Sequence, residues 1–171
     1  MQEWIARLVH VRGLEWSAEN AGSGSGSPAL RPPATAQDIA ALERSIGMPV
    51  ESAYAEFLAY TDGMEHFHLN MSVLGCGDRP ASAVLARAEE FLQAVLDTEV
   101  HLDEGVPEGV ALVPVAVNAE ASEGIFMLSP DPAVSWRFFW TGKGDAALFT
   151  SFSEVCDVAS GARPWSDFAT Q

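Results

Sequence analysis

The spacing of apolar residues changes along this chain. Up to about residue 108 they recur mainly at helical intervals, and from Gly109 they fall into short blocks of strand length. Near the start, Trp4, Ile5, Leu8 and Val9 share one helical face, predicting a helix over residues 1–12. Thr35 is a good N-cap with Asp38 three residues on, and Ile39, Leu42 and Ile46 then mark one face of a second helix. Gly47 and Pro49 stop it. A third helix carries Tyr54, Phe57 and Leu58 on one stripe and ends at Asp62-Gly63. After Pro80, Val84, Leu85, Ala88, Phe91, Leu92, Val95 and Leu96 follow a 3.6 period, with Arg87, Glu89, Glu90, Gln93 and Asp97 on the polar side.

The strand blocks are residues 69–74, 110–117, 124–129, 134–140 and 146–150. Pro130-Asp131-Pro132 and Gly142-Lys143-Gly144-Asp145 are hairpin-length turns, so the later strands must pair antiparallel. A final helix over 151–161 opens with Ser151 and Glu154 in a capping-box pattern and ends at Gly161. Helices first and strands later predict an α+β fold, an antiparallel sheet of about four to six strands with helices packed mainly on one face. Trp4, Ile39, Leu42, Phe57, Leu58, Phe91 and Leu92 are expected in the core. One domain is expected over residues 1–171, with a flexible Gly/Ser loop at 21–28.

The stretch from residue 32 to 64 resembles the signature of the SMI1/KNR4 (SUKH) family. Its parts are Pro33-Ala34, the Ile39-to-Glu43 helix, Gly47 to Pro49, Tyr54 to Leu58, and Asp62-Gly63. The later order of a Pro-bearing strand, an acidic turn, a strand ending near Leu-Ser, a Trp-rich strand and a last helix is also similar. The likeness therefore runs over roughly residues 32–161. The N-terminal tryptophan-bearing helix is common in that family too, and the likeness implies the same α+β arrangement.

Composition adds a charge argument. Acids outnumber Lys plus Arg by 24 to 9, for a net charge of −15. Such a field disfavours nucleic acid and anionic membranes and favours a basic partner, though it also serves solubility. Between Arg87 and Arg137 there is no Lys or Arg, while acids continue from Glu89 to Asp131. Asp103, Glu104, Glu120, Glu123 and Asp131 lie in predicted turns of this interval and are the candidate partner-binding residues. There is no run long and apolar enough for a membrane span and no secretory start, so a cytoplasmic location is expected. Cys76 and Cys156 share no spacing motif and are expected to be free thiols.

Candidate chemistry is sparse. His66-x-His68, near Asp62, Glu65 and Cys76, is the nearest approach to a metal cluster, but no third ligand has a suitable interval, and no metal or cofactor is expected. Cys76 sits in Gly75-Cys76-Gly77-Asp78, where backbone amides could depress its pKa, yet no His or acid partner can be assigned to it. No nucleophile elbow, phosphate loop or dinucleotide glycine pattern occurs, so no catalytic residue is assigned and no enzyme is expected. Trp136, Phe138 and Trp140 alternate on one strand face, either as half-core under a helix or as an aromatic binding face bordered by acids. The family resemblance implies two functions. Bacterial members are immunity proteins that neutralise cognate polymorphic or contact-dependent toxins, often nucleases, by protein contact. The alternative is a non-toxin interaction or regulatory scaffold. The acid-rich interval suits the first, with a basic toxin domain as partner.

Overall fold

The computed structural model describes residues 2–19 and 30–170. The Gly/Ser segment expected to be a loop at 21–28 lies outside the described residues. The chain order is α1 (Glu3–Glu19), α2 (Ala36–Ile46), α3 (Ser52–Leu58), β1 (Met64–His68), β2 (Met71–Val73), α4 (Ala83–Asp97), α5 (Val100–Asp103), β3 (Leu112–Val117), β4 (Glu123–Leu128), β5 (Phe138–Gly142), β6 (Asp145–Phe149) and α6 (Phe152–Ala159). Short 3₁₀ turns occupy Cys76–Asp78 and Trp165–Asp167.

The fold is α+β. All six strands form one antiparallel sheet in sequence order, each strand paired to its neighbours in the chain. Side chains alternate across it. Ile125, Met127, Phe138, Trp140, Ala147 and Phe149 face α1, α2, α3 and α6. Phe126, Leu128, Phe139, Ala146 and Leu148 face α4 and its flanking segments. Four helices thus share one face, and the excursion between β2 and β3 folds back to cover the other. Burial on both faces explains why these strands read as nearly continuous apolar runs.

The local signals act as chemistry dictates. Thr35 Oγ1 accepts from Asp38 N at 3.2 Å and Asp38 Oδ2 accepts from Thr35 N at 2.9 Å, completing the box. Gly47 closes α2 at φ 73°, its N–H bonded to Glu43 O. Tyr54, Phe57 and Leu58 are fully buried, and Phe57 meets Phe67 of β1 edge to face at 6.4 Å. On α4 the buried stripe is Val84, Ala88, Phe91 and Val95. Phe91 lies against Gly124, where an added Cβ would come within 2.9 Å of the Phe91 ring and of Ala116 O. That close approach seats α4 on the sheet.

Several expectations need correcting. The strand expected at 69–74 is shorter, β2 at Met71–Val73, and it pairs through a turn at Leu69-Asn70 with β1, a strand that was not expected. Leu69 is left-handed at φ 51° and 63% exposed, so it is a turn residue, not the start of a strand. Helix α5 was not foreseen, and α1 runs seven residues beyond the expected end, to Glu19. Strand β5 starts at Phe138, and Trp136 packs with the cluster opposite to that of Phe138 and Trp140. Alternation cannot carry across residues 134–137, which are not strand. Phe138 and Trp140 are core, not a binding face. Trp4, Ile39 and Leu92 are only partly buried at the margins of the core. At α6, Ser151 accepts from Glu154 N, but the Glu154 carboxylate reaches one residue further back, to Thr150 N at 2.8 Å.

Candidate protein-docking face

In a meander, alternate turns fall at the same end of the sheet. The β1–β2, β3–β4 and β5–β6 turns are therefore neighbours, and the β4–β5 link lies at the other end. This puts Glu120 and Glu123 beside the β5–β6 hairpin. Asp103 and Glu104 of the α5 region line a groove together with Ser122 and Thr141–Asp145. Four of the five candidate acids are thus gathered at one end. Asp131 is not among them. It sits in the β4–β5 link, where its carboxylate accepts from Ala133 N at 2.8 Å.

The β3–β4 turn is built by Asn118, a residue that sequence reasoning passed over. It is 1% exposed. Its Oδ1 accepts from Ser122 N at 2.9 Å and Glu123 N at 3.2 Å, and its Nδ2 donates to Ser122 Oγ at 3.1 Å. An Asn opening a turn is the signal that could have found it. The turn holds Glu120 outward, where its carboxylate accepts from Asn70 Nδ2 at 2.7 Å across the neighbouring turn.

The acids differ in what they are free to do. Glu123 is mostly buried: one oxygen accepts from Trp140 Nε1 at 3.0 Å, the other meets Lys143 Nζ at 3.3 Å. It braces the hairpin and offers little to a partner. Glu104 accepts from Thr170 Oγ1, which pins it at the groove wall. Asp103 and Asp145 are exposed. Among the described residues no ion pair reaches Asp103, Glu104, Glu120 or Asp145. Lys143, the one lysine of the chain, is the single Lys or Arg on these three turns and α5.

The remaining candidates separate. His66 is left-handed at φ 53° and its ring lies 4.6 Å from Trp16, whereas His68 faces Trp140 at 5.2 Å. Burial, and then the nearby Arg12, lower the His68 pKa. Among the described residues no three His, Cys, Asp or Glu are arranged to hold a metal. At Cys76 the backbone amides do not serve the thiol. Cys76 N and Gly77 N both donate to the Asp62 carboxylate. Burial, with Asp62 adding to it, pushes the thiol up to about 12, so it is protonated at neutral pH. Among the described residues no helix is long and apolar enough to cross a membrane. A scan of protein-family models finds no match to this chain, and a search of curated proteins finds none either.

Proposed function

We propose that this chain is an immunity protein of the SMI1/KNR4 type, which binds a cognate bacterial toxin domain and neutralises it by protein contact. The observation that carries this reading is the gathering of Asp103, Glu104, Glu120 and Asp145 at one end of the sheet, with Lys143 already paired to Glu123. A surface of that sign accelerates encounter with a basic domain and repels acidic competitors. A nuclease, whose substrate groove must attract phosphate, is the kind of toxin it suits. The two-helix signature supports the family likeness, because its caps and its buried Tyr54, Phe57 and Leu58 are in place.

The test is co-expression with the toxin domain encoded by a neighbouring gene. Protection and direct binding are expected. Replacing Asp103 and Glu120 by Lys should slow association and flatten its salt dependence, while stability stays within about 0.5 kcal/mol. Reversing Glu89 and Glu90, exposed on α4, is the control and should matter less. Wild-type protein that neither binds nor protects would remove the immunity reading in favour of the scaffold one.

A further inference from the structure

The groove between α4–α5 and the β5–β6 hairpin has a volume of about 470 Å³, within the range of roughly 300–1,000 Å³ that ligand pockets occupy. Its floor is apolar: Phe91, Val95 and Val100. Its rim is mainly acidic: Asp103 and Glu104 lie on one side and Asp145 on the other, and Lys143, also on the rim, is paired to Glu123. An apolar floor under a rim of mostly negative charge matches an amphipathic segment, whose apolar anchors and charged heads are spaced to meet both.

We infer that this groove seats a basic amphipathic segment of the partner protein, its apolar side chains on Phe91, Val95 and Val100 and its Lys or Arg heads against Asp103, Glu104 and Asp145. This deepens the immunity reading, and rests on it for the partner's identity alone. Charge complementarity chooses the occupant. The rim carboxylates have no ion-pair partner among the described residues, and Lys143 is held by Glu123. A second copy would bring another net charge of −15 to the same rim. Residues 20–29 contain no Lys or Arg. The C-terminal segment is already engaged elsewhere, through Thr170 on Glu104 and the Ala169–Ala147 bridge. Nucleic acid is repelled by the same field.

The test uses isotope-labelled full chain and a synthetic amphipathic Leu/Lys peptide, with a Leu/Glu peptide of the same pattern as control. The Leu/Lys peptide should shift the amides of Val95, Val100, Asp103 and Thr141 to Asp145, and the Leu/Glu peptide should not. Ala94→Arg, on an exposed groove-wall position, should weaken binding about tenfold or more. Asp145→Lys should do the same, and both variants should keep the wild-type melting temperature. Shifts elsewhere, or binding by both variants as tight as by the wild type, would overturn the inference. Groove shifts that grow with protein concentration in the absence of peptide would mean a second copy is the occupant, and would also overturn it. The toxin domain separates the two readings. Normal toxin binding by Ala94→Arg removes the groove and leaves immunity. Peptide binding in the groove without any toxin binding keeps the groove and removes immunity.

Discussion

Glu51 and Phe152 are 101 residues apart and share a hydrogen bond, Phe152 N donating to Glu51 Oε2 at 3.2 Å. The same oxygen accepts from Tyr54 N at 3.0 Å. One carboxylate, on a residue 7% exposed, therefore caps the starts of α3 and α6 together. Glu51→Ala would leave two buried N–H groups without an acceptor, each costing about 1–3 kcal/mol. A loss of roughly 2–5 kcal/mol is expected from urea unfolding, with Glu51→Gln losing less because its carbonyl oxygen can still accept. A loss for Glu51→Ala below about 0.5 kcal/mol would mean that water replaces the carboxylate.

Gly124 is the contact point between α4 and the sheet. Gly124→Ala sets a methyl 2.9 Å from both the Phe91 ring and Ala116 O. Overpacking should cost about 1–3 kcal/mol. The double variant with Phe91→Leu should be less damaged than the two single losses added, since one of the two clashes is relieved. Simple additivity would place the strain elsewhere.

His68 makes stability depend on pH in a definite direction. Its folded pKa lies below the ordinary value, because burial and Arg12 disfavour the imidazolium. Below about pH 6.5 the unfolded chain takes up a proton that the folded chain resists, so stability falls as pH drops. Above that pH both states are neutral and the effect vanishes. Urea midpoints between about pH 8 and 5 should decline for the wild type and be flatter for His68→Gln. Equal slopes would assign the decline to other groups.

Cys76 should be a poor nucleophile in the folded state. With its pKa pushed up to about 12, alkylation at pH 8 should be far slower than in urea, where the thiol returns to its ordinary range. Asp62→Asn, which removes a neighbouring negative charge, should speed it. Folded and unfolded rates that match would show an open, unperturbed thiol.

Much of the architecture was legible in apolar spacing because the elements concerned are amphipathic or buried on both sides. Leu42, Phe57 and Phe91 lie on helical stripes, and β3 to β6 are apolar blocks separated by turn residues. What escaped was held by geometry that periodicity does not encode. Strand β1 is bulged, with His66 left-handed, so its side chains break the period of two. Helix α5 is a single turn, too short to show a stripe. The Glu51 cap joins segments that no local pattern connects. At the candidate face, acid placement singled out Asp103, Glu104 and Glu120, but their nearness is tertiary: the alternation of turns sends Asp131 to the other end, and the groove sets Asp103 and Glu104 beside the β5–β6 hairpin. Glu123 looked like its neighbours in sequence, and its commitment to Trp140 and Lys143 is a tertiary fact.

The meander also sets an order of events in folding. From β3 to β6 each strand finds its partner by closing a short loop, so these pairings carry little chain entropy and can form early. The contacts that unite the ends of the chain are of another kind. Arg7 meets Asp157 across 150 residues at 2.8 Å, and Phe152 reaches back to Glu51. Closing those loops rewards the chain only once the sheet exists to dock upon. Variants in β4 and β5 should therefore slow refolding, whereas variants where α1 meets α6 should leave refolding alone and speed unfolding. The lifetime of the native molecule is then governed at the seam between its first and last helices, on the face of the sheet away from the acidic groove.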